Sequence, residues 1–209
     1  MEGDAILYDD FNEKRVLSEK SSLFEDDDDI ELVDPELIKQ KKLKEMRAKI
    51  GRKSKHKGAH YEHVLARKIC SYLGLDAKQS FIYAKNHPEA GQAAGDLIPI
   101  KRMGNLWRER NFGPIESKNR EEWAFNQFFS NNLEKNPVYK YWIKSNEDCG
   151  CDNSLIFFTK NHVNDFVFHR AEDAALLAND PYLSLRINGQ WFIIQTLDSF
   201  MRANFDISV

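Results

Sequence analysis

The chain has 209 residues, 42% hydrophobic and 12% aromatic, enough to bury one sizeable core and hardly two. No run approaches the roughly 20 apolar residues of a membrane span, and the first residues are acidic where a secretory signal would be basic and then apolar, so a soluble, cytoplasmic protein is expected. The formal net charge of −3 conceals a division: residues 1–34 carry 13 acids and 3 bases, net −10, while the rest carry 20 acids and 27 bases, net +7. A basic body suits a polyanionic partner, because Lys and Arg at phosphates release condensed counterions; a solvated surface beside a solubilising tail is the alternative.

Residues 1–34, with Glu25-Asp26-Asp27-Asp28-Asp29 at their centre and no sustained apolar period, read as a disordered acidic tail. Asp34-Pro35-Glu36 then places an acceptor side chain before a proline at the first helical position. Leu37, Ile38, Leu43, Met46 and Ile50 recur at roughly helical spacing, so a short helix is expected from there. Ten bases and two acids lie between Glu36 and Lys57, and Gly51-Arg52-Lys53-Ser54-Lys55-His56-Lys57-Gly58 reads as a flexible basic arm. It suits a phosphate backbone, with a localisation signal or a solvated face as the other readings. Residues 35–57 are therefore taken as a basic helix and arm, and 58–209 as the domain.

A second helix is signalled from Ala59 to Leu73, where Tyr61, Val64, Leu65, Lys68, Ile69 and Tyr72 share a side and Gly74 is the stop. Gln79 to Tyr83 has strand character, residues 84–95 form a polar loop, and Asp96-Leu97-Ile98-Pro99-Ile100 reads as a strand opening at an acid. Met103-Gly104-Asn105 signals a turn and Leu106 to Lys118 the return of a hairpin. Trp123, Phe125, Phe128, Phe129 and Leu133 give a helical period over residues 122–133, and at that spacing they read as core in preference to a base-stacking surface. Ser154 to Thr159 suits a buried strand, followed by Phe166-Val167-Phe168; Ala171 to Ala178 reads as helix and Trp191 to Gln195 as strand. The alternation of helices and strands is mixed α/β.

Three cysteines, Cys70, Cys149 and Cys151, are an odd count, and Cys-Gly-Cys looks too tight for an ordinary bridge, which favours free thiols. A zinc site using Cys149, Cys151, His162 and His169 is a further reading, although the paired C-x2-C spacing is missing. No glycine-rich nucleotide loop of the Walker type is present.

Three acids and a lysine stand out. In Ile115-Glu116-Ser117-Lys118-Asn119, strand alternation projects Glu116 and Lys118 together and turns Ile115 and Ser117 away. Asp96 opens the preceding strand, and a hairpin joining the two would bring it close to Glu116. Glu62 lies on the edge of an apolar helix stripe, flanked by Ala59 and Ala66, and can face the sheet. Such converging carboxylates can hold magnesium, which prefers oxygen ligands and keeps several waters. The ammonium beside them can orient water or meet developing phosphate charge. The bland alternatives are a solvated helix acid at Glu62, a turn or cap residue at Asp96, and an exposed ion-pair face at Glu116 and Lys118. His60 and His63 flank Glu62 within reach of phosphate if they are not inert surface histidines; Gln127 is equally open between site and solvent.

This ordered pattern resembles the PD-(D/E)xK nuclease superfamily, and within it the archaeal and phage Holliday-junction resolvases. Lys57-Gly58-Ala59-His60-Tyr61-Glu62 matches the K-G-x-x-x-E helix start, Gly95-Asp96 the PD position and Glu116-Ser117-Lys118 the E-x-K position, the similarity covering roughly residues 57–168. It implies a restriction-endonuclease-like mixed sheet flanked by helices. It also implies Glu62, Asp96 and Glu116 as ligands of magnesium, replaceable by manganese, with Lys118 assisting the nucleophile. Lys53, Lys55, Lys57 and His60 are the expected DNA contacts. The expected activity is endonucleolytic cleavage of branched DNA in phage recombination, replication or repair, by a homodimer that nicks two opposed strands. A general or end-processing nuclease and a non-catalytic DNA-binding protein on the same fold are the alternatives. Gly95 replaces the proline of the motif, and the charged stretch Trp107-Arg108-Glu109-Arg110 leaves the preferred DNA shape open.

Overall fold

The computed structural model describes residues 35–84, 95–120, 125–129, 132–160, 164–205 and 207. The acidic tail expected over residues 1–34, and with it the expectation of disorder there, lies outside them. The chain divides into two units, residues 1–44 and 45–209, and the second holds the sheet and the candidate site. Among the described residues no helix is long and apolar enough to cross a membrane.

The fold is mixed α/β with one seven-stranded sheet, restriction-endonuclease-like in its arrangement. The strands are β1 (Phe81–Tyr83), β2 (Leu97–Pro99), β3 (Ile115–Asn119), β4 (Leu155–Thr159), β5 (Phe166–Arg170), β6 (Tyr182–Ile187) and β7 (Gln190–Thr196). Their order across the sheet is β1-β2-β3-β4-β5-β7-β6. Among the described strands β3 and β4 pair in parallel, with Glu116 opposite Ile156 and Lys118 opposite Phe158, and the other neighbouring strands pair antiparallel. All five residues of β4 are buried, which is why this central strand reads as an unbroken apolar run.

Two cores lie on opposite faces of the sheet. Helices α1 (Pro35–Tyr72), α3 (Lys101–Glu109) and α5 (Leu197–Phe205) contribute Leu65, Ile69, Met103, Trp107 and Phe200 to one, which meets Ile115, Leu155, Phe157 and Val167 of the strands. On the other face α4 (Pro137–Cys149) packs Val138, Tyr139 and Trp142 against Ile156, Phe158, Phe168 and Phe192. Alternation along β4 explains the split: Leu155 and Phe157 point one way, Ile156 and Phe158 the other. A further single helical turn, α2 (Ala77–Ser80), is capped by the Asp76 carboxylate, which accepts from the Lys78 N–H.

Several expectations are corrected. The short helix, flexible arm and second helix are one helix, α1, running through Gly51 and Gly58. Neither glycine takes a positive φ, so the cost is only about 1 kcal/mol each relative to alanine, and the Lys and Arg between them are good helix formers. The expected hairpin around Met103-Gly104-Asn105 is helix α3 instead. Gly104 serves close packing there, since a Cβ would lie 3.0 Å from the Pro99 carbonyl oxygen, and Met103 and Trp107, one turn apart, bury against the core. The helix expected over residues 122–133 is described only as 3-10 turns, Phe125–Phe129 and Leu133–Lys135. Phe128 is buried there, Phe129 is exposed, and Trp123 lies outside the described residues. Ala171 to Ala178 forms turns, pinned where Arg170 binds Asp173 and where the Asn204 side chain accepts from the Ala175 N–H; tertiary hydrogen bonds override alanine's helix preference.

The cysteine reading changes as well. Cys149 and Cys151 are joined as a disulfide with Cα atoms 5.3 Å apart, inside the usual bridging range; Gly150 between them takes a left-handed conformation at the end of α4. Cys70 is free and buried.

Candidate active site

Strand β3 carries the centre of the site. Ile115 and Ser117 turn into the α1 side and are buried, while Glu116 and Lys118 project toward α4 and stay partly accessible. Asp96 stands just before β2, and its placement depends on the residue ahead of it. Gly95 has φ +72°, and a Cβ there would lie 2.5 Å from the Ile115 carbonyl oxygen, so only glycine permits this approach. The Asp96 N–H then donates to that carbonyl at 2.8 Å. The Asp96 carboxylate is held in turn: Oδ2 accepts from the Ser117 N–H at 2.8 Å and faces its hydroxyl at 3.2 Å. Glycine at the motif's proline position is thus the residue that docks the acid against β3.

The Lys118 Nζ sits between the two carboxylates, bonded to Glu116 Oε1 and 3.3 Å from Asp96 Oδ2. Burial, then the neighbouring Asp96 charge, push the Glu116 carboxyl above its ordinary range, against the opposing pull of Lys118 and of Lys144 on α4. Burial alone would lower the Lys118 ammonium, but Asp96 and Glu116 outweigh it and raise it. The site therefore holds Lys118 as a cation and concentrates negative charge where a second cation would be welcomed. Two carboxylates converging on one cationic atom form a hard-oxygen donor set of the kind magnesium takes, with waters completing its shell; these residues fit such an ion.

Glu62 is not part of that cluster. It is half-buried on the sheet-facing side of α1, and its charge acts on Tyr83 of β1, whose ring packs 4.0 Å from that of His63. Among the described residues no three His, Cys, Asp or Glu side chains converge as a metal-binding group. The same observation bears on the zinc reading, of which His162 lies outside the described residues. His169 is fully buried, donating from Nδ1 to the Arg170 carbonyl and accepting at Nε2 from the Gln195 amide.

Lys53, Lys55, Lys57 and His60 are all exposed on α1. At about 100° per residue, Lys53, Lys57 and His60 share one side and Lys55 points nearly opposite, so the helix divides a set that a flexible arm would have kept together. Gln127 is exposed in the first 3-10 turn. Four residues at or beside the site were not foreseen: Ser117, which anchors Asp96, and Arg120, Tyr141 and Lys144. Helix α4 carries the last two, and its start was legible in Asn136-Pro137, an N-cap followed by proline, and its end in Gly150.

No curated protein and no solved structure matches the chain. Residues 53–207 match the family described as "Phage putative PDDEXK endonuclease", a span that includes every element of the sheet together with Asp96, Glu116 and Lys118. The chain belongs to that PD-(D/E)xK endonuclease family and is a nuclease of DNA.

Proposed function

We propose that this nuclease is a divalent-cation-dependent endonuclease in which Asp96 and Glu116 hold magnesium, or manganese in its place, and Lys118 serves the attacking water. The observation that supports it best is the convergence of the Asp96 and Glu116 carboxylates on Lys118 across two adjacent strands. A cation bound there supplies charge relief at the phosphate and activation of water. Lys118, kept protonated by its two carboxylates, orients that water or meets charge developing on the phosphate. Ser117 fixes Asp96, so the pair is set before substrate arrives. Glu62, which stands on α1 outside that cluster, is kept as a further acid of the site on the family pattern alone.

The substrate assigned is branched DNA, such as a four-way junction, met in phage recombination, replication or repair. Nicking two opposed strands of a junction calls for two active sites and hence a symmetric homodimer. The exposed bases of α1, Lys53, Lys57 and His60 on one side and Lys55 on the other, supply phosphate contacts that add affinity without sequence preference. Incubation with a supercoiled plasmid and a synthetic four-way junction, in magnesium, manganese or chelator, tests these statements. Cleavage in either metal that chelator abolishes is expected, with paired nicks across the junction. Undiminished cleavage in chelator would refute the cation, and preference for linear duplex or free ends over the junction would refute the branched substrate.

A further inference from the structure

Strand β3 does not end its useful alternation at Lys118. The Arg120 N–H donates to the Thr159 carbonyl at 3.3 Å, so the pairing with β4 continues past Asn119 and Arg120 leaves the sheet on the same face as Glu116 and Lys118. Facing both cations is one aromatic ring of α4: Tyr141 has the Lys118 Nζ 5.3 Å and the Arg120 guanidinium carbon 5.2 Å from its centroid. Each is within cation–π reach of about 6 Å.

Arg120 is exposed, and among the described residues it has no carboxylate to bind. Arg170 and Arg202 differ, each engaging at least two carboxylates. The Arg120 guanidinium is thus set beside a ring at the end of a strand, on a residue exposed to solvent. A planar fork of this kind matches a phosphate in bidentate fashion. Lys118 and Arg120 leave the strand about 6.6 Å apart, the scale of one nucleotide step along a backbone. Lys144, whose charge reaches Glu116, adds positive potential to the same rim.

We propose that Arg120 and Tyr141 form a subsite for the phosphodiester next to the scissile one: Arg120 binds that phosphate, and Tyr141 positions both Arg120 and Lys118 through its π face. The proposal rests on the nuclease reading of Asp96, Glu116 and Lys118, and it adds a substrate contact outside that group.

Full-length wild type, Arg120→Ala, Arg120→Lys, Tyr141→Phe and Tyr141→Leu are compared by titration of a labelled DNA duplex in chelator at several salt concentrations, and by steady-state cleavage in magnesium. Arg120→Ala is expected to weaken binding about tenfold and to reduce the slope of log affinity against log salt by about 0.9. Arg120→Lys restores the slope but not the full affinity, because an ammonium lacks the fork. In cleavage, Arg120→Ala raises KM and leaves kcat near wild type, whereas Tyr141→Leu lowers kcat as well and Tyr141→Phe, which keeps the ring, behaves as wild type. Wild-type affinity and slope in Arg120→Ala would overturn the subsite, and equal kcat in Tyr141→Leu and Tyr141→Phe would overturn the positioning role. Should Tyr141→Leu unfold, Arg120→Ala still decides, since Arg120 is exposed. A salt slope changed by Arg120→Ala in a protein that cleaves nothing would keep the subsite and sink the catalytic reading; cleavage with an unchanged slope would do the reverse.

Discussion

The two faces of strand β3 make opposite demands on the fold. Ile115 and Ser117 face α1 and are buried, and their face continues into the apolar Leu155, Phe157 and Val167. Glu116 and Lys118 face α4, where burial pushes Glu116 above its ordinary range and crowds it against Asp96. One face stabilises; the other holds charges together at a cost to stability. A strand can do both because its side chains alternate, so a site can be mounted directly on the core with no intervening layer. Preorganised charge of this kind is commonly destabilising in isolation and useful only with substrate or cation present.

The contrast breaks most clearly if charge is removed from the working face. Glu116→Gln or Asp96→Asn is expected to lower cleavage by about 10³-fold or more, with DNA binding intact or tighter because negative charge is lost. Glu116→Gln should also be at least as stable as wild type at neutral pH. A carboxyl whose folded pKa is raised binds its proton more tightly folded than unfolded, so its ionisation costs stability as pH rises from the unfolded value to the folded one. Chemical denaturation at pH 7 checks this, and a clear loss of stability in Glu116→Gln would contradict the assignment of costs to that face.

On the other face, Phe157 is fully buried with its ring edge-on to Phe200 at 5.7 Å. Phe157→Ala should cost about 3–5 kcal/mol, read as a shifted denaturant midpoint, while activity per folded molecule stays near wild type. Gly95→Ala bridges the two faces. The positive φ and the 2.5 Å approach to the Ile115 carbonyl predict a stability loss of about 1–3 kcal/mol together with a disproportionate fall in cleavage, because Asp96 is moved off Ser117. A variant that loses stability but keeps full activity would show that the docking of Asp96 does not matter.

The smallest effect expected is a shift in pH dependence. Lys144 lowers the Glu116 carboxyl against burial and Asp96; removing it in Lys144→Ala should move the acid limb of the rate profile to higher pH, since in the proposed mechanism Glu116 acts ionised. Rate–pH curves for the two proteins, overlaid at one metal concentration, measure the displacement, and coincident acid limbs would remove Lys144 from the site.

What the sequence by itself determined is whatever depends on local period and order. The alternation in Glu116-Ser117-Lys118 put the acid and the lysine on one face, the apolar run Ser154 to Thr159 specified a buried strand, and Gly95-Asp96 marked an acid at a strand mouth; these follow from geometry that any extended chain shares. Tertiary structure decided the rest, because each instance turned on a partner distant in the chain. Met103-Gly104-Asn105 has the composition of a turn, yet Gly104 sits against Pro99 inside a helix whose Trp107 is buried against Phe112 and Phe205. Gly51 and Gly58 look like hinges but are helical, and Ala171 to Ala178 looks helical but is tied into turns by Arg170 and Asn204. The juxtaposition of Tyr141 with Lys118 and Arg120 joins residues about twenty positions apart on separate elements. It exists only because α4 packs Val138 and Trp142 onto the face of β4 that Ile156 and Phe158 present, and burial of apolar surface, being non-directional, leaves no local mark of which polar groups it will bring together.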